Sequence, residues 1–411
     1  MFDFKQVHLQ RIAALLFVLS IFTLPLSMTL KSIALISGLV VALLSPDIRR
    51  QLTKIIGEPW FYGIVLLFAL VLLGAFTGIA DLKSKLIFIN KYSKFLFIPL
   101  IALAFQNERL RWLGIHAFLA AMTLTLFISF FKALGWVTMN PVNDPGAVFH
   151  NHIVTGFYMA FAAFLSANLA LSNENTALRL SYSLLALLFS YQTLFINTGR
   201  TGYVIYSVLL VLFLWQRIPT RKIPLYFIII LPFALLVAYH SMALNTGFKA
   251  MVHDVQNYQE GNNKNTSVGF RLQFHQYAKK LFLAHPIWGT GTAGFTYSYR
   301  QEQPIPAWGK NLLDPHNQYW LMAAEYGVIG LAVLFYFFLA FFHASQRLKD
   351  MRPMMIALLC SFLVANLSDS FLLFSNTGDF LVFFAALALG ESLEKKPSPC
   401  ENSVVSGSTA C

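Results

Sequence analysis

Residues 60–80 read Trp-Phe-Tyr-Gly-Ile-Val-Leu-Leu-Phe-Ala-Leu-Val-Leu-Leu-Gly-Ala-Phe-Thr-Gly-Ile-Ala, from Trp60 to Ala80 without one charged side chain. An α-helix needs about 20 apolar residues to cross roughly 30 Å of hydrocarbon, and this run supplies them. Similar runs fall at 12–29, 32–46, 95–105, 112–137, 153–171, 180–197, 202–216, 224–240, 318–343, 354–375 and 379–393, twelve in all with the first. In lipid every backbone polar group must be satisfied internally, which leaves helices or closed barrels. Alternating barrel patterning is absent. The expected fold class is therefore an all-α polytopic membrane protein of about twelve transmembrane helices.

The composition agrees. Of the 411 residues 57% are hydrophobic and only 12% charged, against about 25% charged in soluble proteins. A net charge of +12 would suit a nucleic-acid binder until the charges are placed. With the N-terminus in the cytoplasm, the cytoplasmic connections hold Arg49, Arg50 and Lys54, then Arg109 and Arg111, then Arg179. Arg217, Arg221 and Lys222 follow, then Arg347, Lys349 and Arg352, with Lys395 and Lys396 in the tail. That is the distribution membrane topology requires, so membrane lipids are the expected surroundings and nucleic acid is not a partner. Cys360, Cys400 and Cys411 have no disulfide or zinc spacing. Lys5 and Arg11 precede the first apolar run without a small-x-small cleavage site, and the run is read as a span.

Four regions follow. Residues 1–240 carry spans one to nine, 241–316 form a large outer loop, 317–393 carry spans ten to twelve, and 394–411 make a polar cytoplasmic tail expected to be disordered. Within the loop, Ser267 is expected to cap a helix to about Ala284, with Phe270, Phe274, Tyr277, Leu281 and Phe282 as a stripe for the membrane surface or the bundle. Arg271, His275 and Lys279 recur every four residues on another face. Two outer loops carry basic residues against the topological bias. Residues 81–94 hold Lys83, Lys85, Lys91 and Lys94, and Arg200 stands alone in Asn197-Thr198-Gly199-Arg200-Thr201-Gly202. An anionic ligand on the outer face explains both.

Asp314-Pro315-His316-Asn317-Gln318-Tyr319-Trp320 marks the return from loop to membrane. An imidazole there can take a proton near neutral pH, and guanidinium groups grip phosphates in bidentate fashion. His316 with Arg200 and Arg271 suits an enzyme whose leaving group is a pyrophosphate and whose nucleophile is a hydroxyl. Simpler roles exist for each: Arg200 as a helix-end cap, Arg271 and Lys279 as a solvated face, Tyr319 as a belt aromatic. His150 and His152, in Phe149-His150-Asn151-His152, lack the carboxylate cluster of a metal pair and are read as loop residues. Glu325 lies two turns into a span, where a carboxylate is usually paired. Apart from Lys132 the spans are read as poor in charge.

Taken together, Asn197–Gly202, Arg271 opening a helix that ends at Pro286 with Gly289-x-Gly291, and His316-Asn317-x-Tyr319 followed by Glu325-x-Gly327-x-x-Gly330 resemble the O-antigen ligase and polymerase superfamily. The likeness extends from about residue 60 to 390. It implies a membrane-embedded, GT-C-like inverting glycosyltransferase that takes glycan from undecaprenyl pyrophosphate at the periplasmic face of the bacterial inner membrane, without a cofactor. It further implies that His316 is the general base and that Arg200 and Arg271 hold the pyrophosphate, with Lys91 and Lys94 beside them. No metal is called for if the arginines neutralise the leaving group. Asp314, Asn317, Tyr319 and Glu325 are supporting residues, the first two as neighbours that orient the imidazole. The chain departs from its relatives at Phe149–His152, where many have Asn-Pro-Asn. The leading expectation is a ligase that joins O-polysaccharide to lipid A–core. An O-antigen polymerase, a protein O-oligosaccharyltransferase and, from another class, a transporter are the alternatives.

Overall fold

The computed structural model describes residues 3–219, 239–261 and 263–394, without the side chains of residues 3–7. The expected span 224–240, apart from its last two residues, lies outside the described residues. So do Arg221, Lys222, Lys395 and Lys396, and all of the expected tail beyond Glu394. Among the described residues every regular element is helical.

Helices α1 (Asp3–Thr23), α2 (Met28–Leu44) and α3 (Pro46–Ile55) precede α4 (Pro59–Thr77). Pro59 starts α4 at a position where its missing N–H costs nothing. Then come α5 (Leu82–Ser93), a 3₁₀ turn (Lys94–Phe97), α6 (Ile98–Ala104), α7 (Glu108–Ala133), α8 (His152–Ser172) and α9 (Thr176–Tyr191). A π-helical turn (Gln192–Ile196) separates α9 from α10 (Arg200–Arg217). The outer segment holds α11 (Met242–Gln259), α12 (Ser267–Ala284) and α13 (Gly294–Glu302); α14 (Gln318–Ser345), α15 (Arg352–Ala365) and α16 (Ser375–Ser392) follow. The cap of α12 is Thr266, one residue before the expected Ser267, with its hydroxyl accepting from the Gly269 amide.

Among the described residues five helical segments are long and apolar enough to cross a membrane: Pro59–Thr77, Leu82–Ala104, Glu108–Ala133, His152–Ser172 and Gln318–Ser345. A sixth arises if α2 and α3, bent by 89°, count as one. Residues 81–94 are therefore not a loop. Asp81 caps α5 through the Ser84 amide, and α5 to α6 make one segment of 23 residues. The expected span 354–375 is also cut short. Its helix ends at Ala365, because Asn366-Leu367-Ser368-Asp369-Ser370 would carry a carboxylate and three more polar side chains into hydrocarbon.

The core is aromatic. Phe380 of α16 stacks on Tyr158 at 5.0 Å and on Phe384 at 4.3 Å, and Phe118, Phe157 and Phe161 meet it edge-on. Helix α16 is buried continuously from Thr377 to Gly390, as a helix apolar all round must be. The spans are less poor in charge than expected: Lys31 of α2 and Asp379 of α16 form a buried ion pair, and Arg111 of α7 is buried on a bond to Glu394. Lys132 spends its ammonium on the carbonyls of Asp144 and Ala147.

Helix α14 breaks at Gly327, where φ is +62° and ψ −151°. The returning chain 286–292 repairs the break. Amides of Thr290 and Gly291 donate to the carbonyls of Ala324 and Glu325, and the Val328 amide donates to Pro286. On its other edge Ile79 donates to Thr290, and Thr292 to Gly74. Backbone meets backbone here: a Cβ on Gly291 (φ +81°) would stand 2.2 Å from Gly78 Cα. Gly291→Ala should therefore lower the thermal midpoint in detergent far more than Gly309→Ala. The latter has φ +87° but open space around it, so it costs only the left-handed alanine penalty of about 1–2 kcal/mol. Equal midpoints would refute the close packing.

Candidate functional site

Four breaks in the helical pattern meet at one end of the bundle. Asn317 caps α14, its Oδ1 accepting the Trp320 amide at 3.0 Å while its Nδ2 donates to the Leu367 carbonyl at 2.9 Å. The Gln318 amide donates to the Asn366 carbonyl at 2.9 Å. These bonds tie the start of α14 to the turns 366–374 and so bring Asp369 to His316. The imidazole Nδ1 lies 3.2 Å from Asp369 Oδ1, which also accepts the Ser370 amide. In the neutral ring this geometry puts the proton on Nδ1 and leaves Nε2 as the base nitrogen. His316 itself holds a left-handed φ of +52°, a conformation that costs a non-glycine residue energy and gathers at functional sites.

Asp314 does not orient the ring as expected. Its Oδ2 accepts the His316 backbone amide at 3.0 Å, so it shapes the turn while Asp369 aims the imidazole. Burial pushes the Asp314 carboxyl up to about 6, helped by the negative charge of Asp369 and opposed by His316. Burial also works against a charged His316, but the Asp369 hydrogen bond and the two carboxylates outweigh it and hold its pKa above the usual imidazole value. Asp314, His316 and Asp369 each bring a ligand-type atom within 4.8 Å of the others. Two carboxylates and an imidazole are a donor set that a divalent cation accepts, in competition with the hydrogen bond on Nδ1.

The aromatic stripe of α12 turns toward this site. Phe274 lies 5.8 Å from the His316 ring and 5.1 Å from Trp308, which is itself 6.4 Å from His316. Phe270 closes on Trp308 at 5.0 Å. The neighbouring face carries Arg271 and His275 inward and leaves Lys279 in solvent. Arg271 is half-buried; burial lowers its pKa and Asp369 pulls it back up, and a guanidinium stays charged regardless. No acidic side chain among the described residues closes an ion pair with it. The His275 ring turns toward the carbonyls of Pro315 and His316, and burial keeps its pKa low. Its Nε2 nevertheless has no acceptor in hydrogen-bond geometry, so the ring packs more than it bonds.

Arg200 opens α10 and reaches to 3.9 Å from Asp254 of α11. Its charge and that of Arg271 act on one another. Lys91 sits over the Phe374 ring at 5.6 Å and within electrostatic reach of Asp314. Lys94 is a correction. Its ammonium is buried and donates to the carbonyls of Phe374 at 2.8 Å and Leu373 at 3.3 Å, so it holds the 366–374 turns together and has no free face for a phosphate. Tyr319 donates to the Leu363 carbonyl at 2.7 Å. Glu325 is fully buried at the α14 break, facing the amides that begin α13, and neither carboxylate oxygen has a partner in hydrogen-bond geometry among the described residues. His150 and His152 part company. His150 meets the Leu24 carbonyl at 3.0 Å and His152 meets Asp144 at 2.6 Å, so they do not form a metal pair.

Sequence reasoning missed Asp369, Trp308 and Asp254. The first left a signal: a carboxylate amid Asn366–Ser370 in a presumed span is a functional-site hypothesis by default.

Comparison with known proteins bears on the same stretch. Residues 184–335 match the family model described as O-antigen ligase, a region that runs from α9 into α14 and holds Arg200, Arg271, Asp314 and His316. An uncharacterized protein of Haemophilus influenzae is 24% identical over 221 residues, 50% of this chain and 55% of that protein. The chain thus spans about half the length of that relative. Residues 184–335, which carry both arginines and the histidine, are the part of the chain that is similar to the O-antigen ligase family.

Proposed function

We propose that the protein is an O-antigen ligase of the bacterial inner membrane. It takes polysaccharide from undecaprenyl pyrophosphate and joins it to a sugar hydroxyl of lipid A–core on the periplasmic side. In this reading the full chain has about twelve spans in a GT-C-like arrangement, with both termini in the cytoplasm and 241–316 in the periplasm. The distribution of basic residues supports that orientation. One observation carries the chemistry: an imidazole aimed by a carboxylate, His316 on Asp369, stands at the start of an apolar helix within electrostatic reach of Arg271, which in turn feels Arg200.

The acceptor hydroxyl gives its proton to His316 Nε2 while its oxygen bonds the anomeric carbon. The bond from that carbon to the pyrophosphate breaks on the opposite face, and the electron pair stays with the pyrophosphate. Arg271, Arg200 and Lys91 counter the developing negative charge, a stabilisation worth most where water is excluded. Trp308, 42% exposed, offers a flat aromatic face to a sugar ring. The arginines make a metal unnecessary to this scheme. An O-antigen polymerase shares the donor and the chemistry, and the phenotype of a deletion strain separates the two. Loss of a ligase leaves uncapped core with long polymer on the carrier; loss of a polymerase leaves core capped by a single repeat.

His316→Ala is expected to cut transfer by about 10²–10⁴-fold, the usual worth of a positioned base, with normal membrane insertion. Arg271→Ala should abolish capping of core lipid on gels. Wild-type capping by both variants would overturn the assignment. Transfer by purified protein should survive EDTA; its loss, restored by a divalent ion, would assign Asp314, His316 and Asp369 to a metal instead. The pH dependence has a fixed sign. A base must be neutral, and the His316 pKa is raised, so turnover should fall as pH drops through a value above the ordinary 6.5. Asp314 and Asp369 both act on the charge of His316, so this limb belongs to the group. Asp369→Asn removes the bond and the charge that raise the pKa, so it should move the limb toward acid while lowering the plateau. A limb that stays in place would reject the pairing.

A further inference from the structure

A second histidine–carboxylate pair flanks the turn that carries Arg200. His152, the first residue of α8, places Nδ1 2.6 Å from Asp144 Oδ2. Asp144 is fixed from several sides. Its Oδ1 accepts the Gly146 amide at 3.2 Å and the Thr198 hydroxyl at 3.0 Å, and Lys132 holds its carbonyl. Burial raises the carboxyl's pKa, but the bonds from His152, Thr198 and Gly146 more than compensate and keep it ionised. The His152 ring lies against the turn itself, with Cδ2 3.1 Å from where a Cβ on Gly199 would stand.

The other end of the turn leans on the first pair. Thr201 shares a hydrogen bond of 3.1 Å with Ser368, the neighbour of Asp369. Thr198 thus touches one dyad, Thr201 adjoins the other, and Arg200 lies between them. The His152 side chain is 41% exposed against 24% for His316, so its Nε2 faces outward while Nδ1 is committed to Asp144. With Nδ1 held by the carboxylate, Nε2 is the ring's remaining polar atom, and a hydrogen bond from it to an anionic phosphate oxygen is charge-assisted. The hydroxyl of Thr198 and the guanidinium of Arg200 stand on either side of Gly199.

We propose that His152, aimed by Asp144, binds the phosphate of the lipid pyrophosphate donor beside Arg200, as a further ligand of the leaving group. The inference rests on the reading of Arg200 and Arg271 as pyrophosphate ligands. It also gives a task to Phe149–His152, the segment in which this chain departs from its relatives.

The test is calorimetric binding of inorganic pyrophosphate to the purified full-length protein in detergent, for wild type, His152→Gln, Asp144→Asn and Arg271→Gln. Variants are compared only where the thermal midpoint matches wild type, and His152→Gln alone decides if Asp144→Asn does not fold. His152→Gln should weaken binding about tenfold or more, the cost of one charge-assisted bond. Asp144→Asn should weaken it less. In transfer assays His152→Gln should lower kcat/KM for the lipid-linked donor while leaving the acceptor KM near wild type. If His152→Gln binds pyrophosphate as wild type does while Arg271→Gln does not, the inference fails and the reading of the arginines stands. If all three variants bind normally, that reading fails as well.

Discussion

The broken helix at Gly327 governs the rest of the structure. A break in an apolar helix frees carbonyls that water cannot reach, and each unsatisfied group in lipid costs several kcal/mol. Here the carbonyls of Ala324 and Glu325 are taken by the amides of Thr290 and Gly291. The same strip of chain bonds on its far edge to the end of α4. Three elements distant in sequence are thus sewn together by main-chain bonds, in a space that admits no side chain at Gly291. Because the strip begins where α12 ends, its position fixes α12, and with it Arg271 and the aromatic wall beside His316.

The same device recurs around the site. A π-helical turn, which commonly marks a functional site, interrupts the chain just before Asn197 and delivers Arg200. Helix α15 stops at Ala365 and the chain unwinds to deliver Asp369. A left-handed residue breaks the approach to α14 and delivers His316. Irregular backbone at the edge of a membrane bundle survives only where it is buried in protein or faces water. Each interruption lends one chemical group, and the capping bonds of Asn317 and Gln318 align two of them. His316, Asp369 and Arg200 sit at helix ends, whereas Arg271 sits on a face of α12.

How much of this could be read from the residues follows from the same physics. Long apolar runs such as 60–80, 112–137 and 318–343 needed only hydropathy, and each is a helix at nearly those bounds. His316 stood out as an imidazole where loop meets membrane and Arg200 as a charge against the topological bias; the structure sets each within electrostatic reach of Arg271. Asp369 was not, since an apolar count averages across Asn366–Ser370 and hides a break of a few residues. Lys94 misled for the opposite reason. Its charge is plain in the sequence, but the carbonyls of Leu373 and Phe374 that absorb it lie 279 and 280 residues away. Asp314 and Asp369 exchanged roles because only three dimensions reveal which carboxylate meets the ring and which the backbone.

The buried bond between Lys31 and Asp379 spans 348 residues, from α2 to α16. During synthesis the lysine enters the bilayer long before its carboxylate is translated. A buried ammonium without a counter-ion is expensive, so Lys31 of α2 stays uncompensated until α16 brings Asp379. A chain truncated before α16 keeps that charge uncompensated, along with the polar flank of α2. The ion pair therefore ties the packing of the early helices to α16, the helix that brings the carboxylate.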